Sequence, residues 1–218
     1  ISDLSNLFGA VKFYKEARKR GVKPLIGAEV WLDGLGKEAS QVSRVVLLVQ
    51  SQQGYLNLSE LLARAWTQNG NKAQASVSWD WLSELSAGLI CLSGAQAGPV
   101  GQALLQADDA RAMDAALKLA GVFTHRFYLE LQRAGRADDE THVGAAVRLA
   151  QRLQLPVVAT HPVQFLSAED FEAHEARVCI AEGEMLANPR RVRRFTRDQY
   201  FKSSAEMAEL FADLPSAL

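Results

Sequence analysis

Apolar residues recur along this chain in two rhythms, short continuous or alternating runs and longer stretches at helical spacing, and the two take turns. From Leu7 to Arg20 the positions Leu7, Phe8, Val11, Phe13, Tyr14 and Ala17 predict a helix that Asn6 can cap and Gly21 ends. Pro24 to Trp31 predicts a strand whose only charge is Glu29, and Arg44 to Val49 a second strand, with a polar turn from Gly34 to Gln41 between them. Gly54 to Trp66 carries Leu58, Leu61, Leu62 and Ala65 on one helical face, and a polar loop follows from Asn69 to Ser76. Trp79 and Trp81 open a short helix, read as packing residues rather than a base-stacking platform. Strands at Leu89 to Ser93, Phe127 to Gln132 and Val157 to Thr160 then alternate with helices at Asp109 to Phe123, Asp138 to Leu153 and beyond Ser167, whose first turn holds Glu169 and Asp170. A last short helix, Ser204 to Phe211, is expected to start at Ser204 with an incomplete capping box, because Met207 stands where a glutamate would be needed. Strands that alternate with covering helices argue for an α/β fold with mainly parallel strands.

Composition narrows this little. With 218 residues, 48% of them apolar, the chain can bury one good core, and one domain is expected. The balance of 24 basic and 25 acidic residues gives no overall field for unaided nucleic-acid binding. Cys91 and Cys179 lie far apart in apolar runs without a CxxC spacing, which reads as reduced thiols in a cytoplasmic protein, with a disulfide between them as the alternative. No run approaches the roughly 20 apolar residues of a membrane span, so no membrane partner is expected. Ile1-Ser2-Asp3 resembles the end of a strand whose body is absent, which suggests a lost amino terminus.

Candidate chemistry collects at strand ends. His161, Pro162 and Gln164 follow the Val157 to Thr160 strand, at the edge where α/β folds bind ligands. The glycine-bracketed turn from Gly94 to Pro99 has the form of a phosphate cradle, a weak signal by itself. His125, His142 and His174 read as surface or half-buried side chains rather than ligands. Between Asn188 and Arg197 the chain carries Arg190, Arg191, Arg193, Arg194 and Arg197, which reads either as a solvated connector or as a surface for phosphates or an acidic partner.

Several segments together carry a resemblance: Ser2 to Tyr14, Lys23 to Glu29, Gly54 to Leu58, Leu89 to Gly94, Tyr128 to Leu131, Val157 to Thr160, and the closing Phe201 to Met207 and Leu210 to Pro215. In order and spacing they resemble the polymerase-and-histidinol-phosphatase (PHP) domains of bacterial DNA polymerase III alpha subunits, over essentially the whole chain. The resemblance implies a distorted seven-stranded (βα) barrel, here lacking its first strand-helix unit. It also implies a PHP barrel over residues 1–185 and an extension over 186–218 leading towards a palm domain.

Many members of that family hold three metal ions at the carboxyl ends of the strands through His, Asp, Glu and one Cys. The resemblance places the first three ligands in a segment this sequence does not contain; carried over position by position, the remaining ligand set is degenerate. An imidazole is replaced by Leu4, between Asp3 and Asn6; Glu29 matches a glutamate ligand; Arg44, Ala95, Pro162 and Gln164 stand where His, Cys, Asp and His are expected. Asp3 and His161 remain as cavity-lining residues. Arg44 facing Glu29 is the pair expected to fill the cavity, since a fixed guanidinium repels a cation. The implied function is a noncatalytic support of a replicative polymerase, acting in DNA replication, without a cofactor of its own. Magnesium and DNA belong to the parent polymerase, and the partners are its palm and the proofreading exonuclease subunit. Arg190, Arg191, Arg193 and Arg194 are the candidate phosphate or partner contacts. The alternative is an active metal-dependent phosphoesterase or 3'-5' exonuclease.

Overall fold

A computed structural model describes residues 1–33, 42–68 and 74–218. The predicted turn from Gly34 to Gln41 and the loop residues 69–73 lie outside the described residues. In chain order the elements are β1 (Ser2–Leu4), α1 (Ala10–Lys19), β2 (Gly27–Asp33), β3 (Ser43–Val49), α2 (Gln52–Gln68), β4 (Ser76–Ser78) and α3 (Trp79–Glu84). They continue with β5 (Leu89–Leu92), α4 (Pro99–Leu105), α5 (Asp109–Val122), β6 (Phe127–Gln132), α6 (Asp139–Leu153), β7 (Val157–Thr160), α7 (Phe171–Glu182) and α8 (Ser204–Leu210).

The strands pair in the order β1-β2-β3-β5-β6-β7, with β4 joined to β2, in a curled sheet like part of a barrel wall. Four pairings are parallel, as expected. β3 is the exception and runs antiparallel to both β2 and β5. The nine residues 34–42 between β2 and β3 are fewer than the roughly a dozen that a parallel crossover takes, so the chain returns antiparallel.

Alternation along the strands separates two faces. Ala28, Val30 and Leu32 of β2, Val45 and Leu47 of β3, and Leu129 and Leu131 of β6 are buried. They join one hydrophobic core with Leu58, Leu61 and Leu62 of α2, Ala112 and Leu119 of α5, and Val143 and Ala146 of α6. Each such leucine contributes about 1.5–3 kcal/mol by leaving water. The opposite parity, Glu29, Val46, Leu92, Tyr128, Glu130 and Thr160, shares the concave face through the cross-strand registers.

Several local expectations shift. The first helix starts at Ala10, because Asn6 spends its side chain on a turn: its Oδ1 accepts the Phe8 N–H at 3.0 Å. Ser76 opens β4 rather than closing a loop. No helix was expected between Pro99 and Asp109, yet α4 forms there with proline at its start and Val100 and Ala103 buried; seven residues are too few to display a helical period. The last helix is capped by Ser203, not Ser204, and its capping box is complete, with Glu206 returning to Ser203. His142 and His174, expected at or near the surface, are 2% and 6% exposed.

The segment after α7 lies back on the barrel. Phe165 and Tyr200 form a parallel bridge. Phe211 and Ala217 are buried in the main core, and Arg133 holds Asp213 at 2.6 Å, Glu140 at 2.9 Å and the Leu210 carbonyl at 2.7 Å, with its guanidinium 5.0 Å from the Phe211 ring. Residues 186–218 therefore share the hydrophobic core of residues 1–185. Cys91 and Cys179 are free and buried, and burial pushes the Cys91 thiol well above its usual range.

Candidate functional site

The candidate site lies on the concave face, at the carboxyl ends of the parallel strands, where antiparallel β3 contributes its amino end. Leu4, Glu29 and Val46 stand side by side in register. Arg44, two residues before Val46, faces Trp31, and its guanidinium lies 4.9 Å from the Trp31 ring. Arg44 Nη1 reaches Glu29 Oε2 at 3.3 Å, which is the pair expected from the sequence; the two side chains are 32% and 24% exposed.

Beside this pair sits a second carboxylate that sequence reasoning had noticed only as part of a strand. Glu130 is 3% exposed; its Oε1 accepts from Thr160 Oγ1 at 2.5 Å and from Gln132 Nε2 at 3.0 Å, and its Oε2 from the Gly94 N–H at 3.1 Å. Burial pushes its carboxyl above the usual range and the nearby Glu29 charge adds to this, against hydrogen bonds from Thr160, Gln132 and Gly94 that favour the ionised form. A charged residue within an apolar strand was the signal for Glu29, and Glu130 in Phe127 to Gln132 carries the same signal.

The Gly94 turn is not a free phosphate cradle. Gly94 has φ +78, and a Cβ there would lie 1.9 Å from the Arg44 carbonyl oxygen, so the turn presses on the β3 backbone. Its N–H is taken by Glu130, and the Ala97 and Gly98 N–H groups donate back to the Gly94 carbonyl. An internal carboxylate thus occupies the position where an anion would bind.

The other sequence-derived positions spread around this centre. Ala95 is buried at the start of a short 3-10 turn. Leu4 and Asp3 are exposed on the edge strand β1. His161 follows β7, and its Nε2 donates to the Asp198 carbonyl at 2.6 Å, which leaves Nδ1 as a buried lone pair without a partner among the described residues. Burial lowers its pKa, opposed by that bond to Asp198. Pro162 and Gln164 are bound by backbone to the returning segment: Gln199 Nε2 donates to the Pro162 carbonyl, and Gln164 N–H to the Gln199 carbonyl. Arg190, Arg191, Arg193 and Arg194 lie away from this face: Arg191 is buried against Glu175, Arg194 sits 3.2 Å from Glu182, and Arg190 and Arg193 are exposed.

A cluster of divalent ions needs several carboxylate, imidazole or thiolate ligands for each ion. Among the described residues no three His, Cys, Asp or Glu side chains are grouped to hold one. Glu29 is bonded to a guanidinium and Glu130 to three donors. The described residues do not supply the ligands that the metals implied by the resemblance would need.

Residues 1–134, more than half of the chain, match the description PHP domain. The chain belongs to the PHP domain family. It is 47% identical over 218 residues to the DNA polymerase III subunit alpha of Pseudomonas aeruginosa, covering 100% of this chain and 18% of that protein. Against the subunit of Neisseria meningitidis serogroup B it is 48% identical over 221 residues, and against that of Escherichia coli K12 42% over 220, in both cases covering 100% of this chain and 19% of the relative. The chain thus spans about a fifth of the length of the curated relatives it matches. The α/β architecture and the curled sheet agree with a PHP-type barrel. No helix among the described residues is long and apolar enough to cross a membrane.

Proposed function

We propose that this chain is a catalytically silent PHP domain of a DNA polymerase III alpha subunit, which serves DNA replication by bracing the polymerase and docking its proofreading exonuclease subunit. The observation that carries the silent reading is the Arg44 to Glu29 ion pair on the concave face. A guanidinium there supplies permanently the positive charge that a metal ion would bring, but it has no open coordination position and cannot lower the pKa of a water. The second carboxylate, Glu130, is held by protein donors in the same way. The supporting role draws on the polymerase relatives and on the packing of residues 186–218 onto the barrel, which makes a firm base for a palm domain beyond them. Magnesium and DNA are handled by the parent polymerase in this reading.

The test is made on the complete alpha subunit, purified without chelators. Mass-spectrometric metal analysis is expected to find well under one zinc or manganese per chain after dialysis, and hydrolysis of a 3'-labelled DNA strand is expected to be unchanged by Glu29→Gln. Stoichiometric metal together with hydrolysis lost in that variant would establish the phosphoesterase alternative instead.

A further inference from the structure

The helix α7 and the chain after it bury polar groups and expose apolar ones, the reverse of an ordinary surface helix. His174 and Glu175 are buried, while Ile180 is 83%, Met185 75% and Val192 73% exposed. Between α7 and the returning segment runs a groove of about 270 Å³, below the roughly 300–1,000 Å³ usual for small-molecule sites. Phe171 and Leu186 are its apolar lining; Glu175 and Arg191 pair within it, their side chains only 3% and 7% exposed, so these two charges cancel internally. Arg193, Arg197 and Glu172 complete the lining. Among the described residues no ion pair engages Arg193 or Arg197; the Arg197 guanidinium lies 5.7 Å from the Phe171 ring. With Glu172 as the one exposed acid of the lining, the groove presents a cationic surplus beside exposed aliphatic side chains.

Charge complementarity selects an acidic occupant, and the aliphatic surroundings select its class. A nucleic acid would add base stacking on free aromatic faces to its phosphate contacts, but the Phe171 ring is half-buried and taken up by Arg197, and the exposed apolar groups of this segment are the aliphatic Ile180, Met185, Leu186 and Val192. A polypeptide offers both carboxylates for guanidinium groups and an apolar anchor for the lining. We propose that this groove docks an acidic peptide segment with an aliphatic anchor, contributed by the polypeptide that the domain holds. This rests on the docking role proposed above and names the surface and the chemistry that would carry it.

The probe is the proofreading exonuclease subunit of the same organism, flowed over the immobilised complete alpha subunit in a surface plasmon resonance measurement. The variants are Arg193→Glu with Arg197→Glu, and separately Leu186→Asp, all at exposed positions, with thermal melting as the check on folding. Each is expected to weaken binding at least about tenfold, and the arginine variant also to flatten its salt dependence, with affinity for single-stranded DNA unchanged. Unaltered exonuclease binding by both variants overturns this surface and leaves the docking role standing. Absence of binding by the unmodified subunit overturns the docking role and the inference with it. Lost DNA affinity with intact exonuclease binding assigns the groove to nucleic acid and overturns the peptide occupant.

Discussion

Arg44 and Glu29 meet across the β2 to β3 ladder at 3.3 Å, a guanidinium and a carboxylate on a face that also holds the buried Glu130. The pair links the chemistry of the face to its stability, because the Glu29 and Glu130 carboxylates on one face of the sheet would otherwise repel one another. Arg44 is also stacked on Trp31, so its position is set by packing as well as charge.

Replacing Arg44 by Met keeps much of the side-chain volume and removes the charge. Urea denaturation is expected to show a loss of about 1 kcal/mol, modest because both partners are partly exposed. The double variant with Glu29→Gln is expected to recover most of that loss, and a cycle without coupling between the two sites would show that the ion pair contributes nothing to folding.

His142 makes stability depend on pH. Burial, and secondarily Arg136, lower its pKa from 6.5 to about 4, while Asp139 opposes the shift. Between those values the unfolded chain binds a proton that the folded chain does not, so its contribution is complete above about pH 6.5 and is lost as pH falls towards 4. The decline is about 1.4 kcal/mol per pH unit and about 3 kcal/mol in all. His142→Leu is expected to remove this part of the acid sensitivity in equilibrium unfolding from pH 7 to 4; an unchanged slope would show that the native state protonates His142 freely. His161 and His174 are shifted in the same direction and remain in the variant.

Two glycines with the same backbone conformation separate strain from crowding. Gly21 has φ +72 with nothing near an added Cβ, whereas at Gly94, φ +78, the Cβ would meet the Arg44 carbonyl oxygen at 1.9 Å. Gly21→Ala is expected to lose about 1 kcal/mol, the left-handed penalty alone. Gly94→Ala is expected to lose more than about 3 kcal/mol, because backbone must move and the bond to Glu130 is disturbed. Similar melting temperatures for the two variants would contradict this reading of the turn.

Arg133 fastens the last helix and the residues after it to the end of β6. Its pairing with Asp213 holds that carboxyl below its usual range. Arg133→Ala removes the contacts to Glu140, Asp213 and the Leu210 carbonyl together. Hydrogen exchange in residues 204–218 is then expected to speed up by about tenfold or more, with β2 and β3 unaffected. Uniform acceleration over the whole chain would mean that the segment is not a separate cooperative unit.

The hydrophobic rhythm was enough to place β5, β6, β7, α2, α5 and α6 within a few residues, because each carries a period of its own kind over most of its length. The complete capping box at Ser203 and Glu206 was also present in the sequence, one residue before the expected cap. Glu29 stood out as a charge in an apolar strand, and its pairing with Arg44 followed from the resemblance. Tertiary structure decided the rest. The direction of β3 depends on its neighbours, the short α4 becomes a helix by burying Val100 and Ala103, and His142 is interior because α6 turns that face inward. The capture of the Gly94 N–H by Glu130 joins residues 36 positions apart. Local periodicity records which side of an element avoids water; which polar groups then meet on the other side is settled only when the strands pair in register.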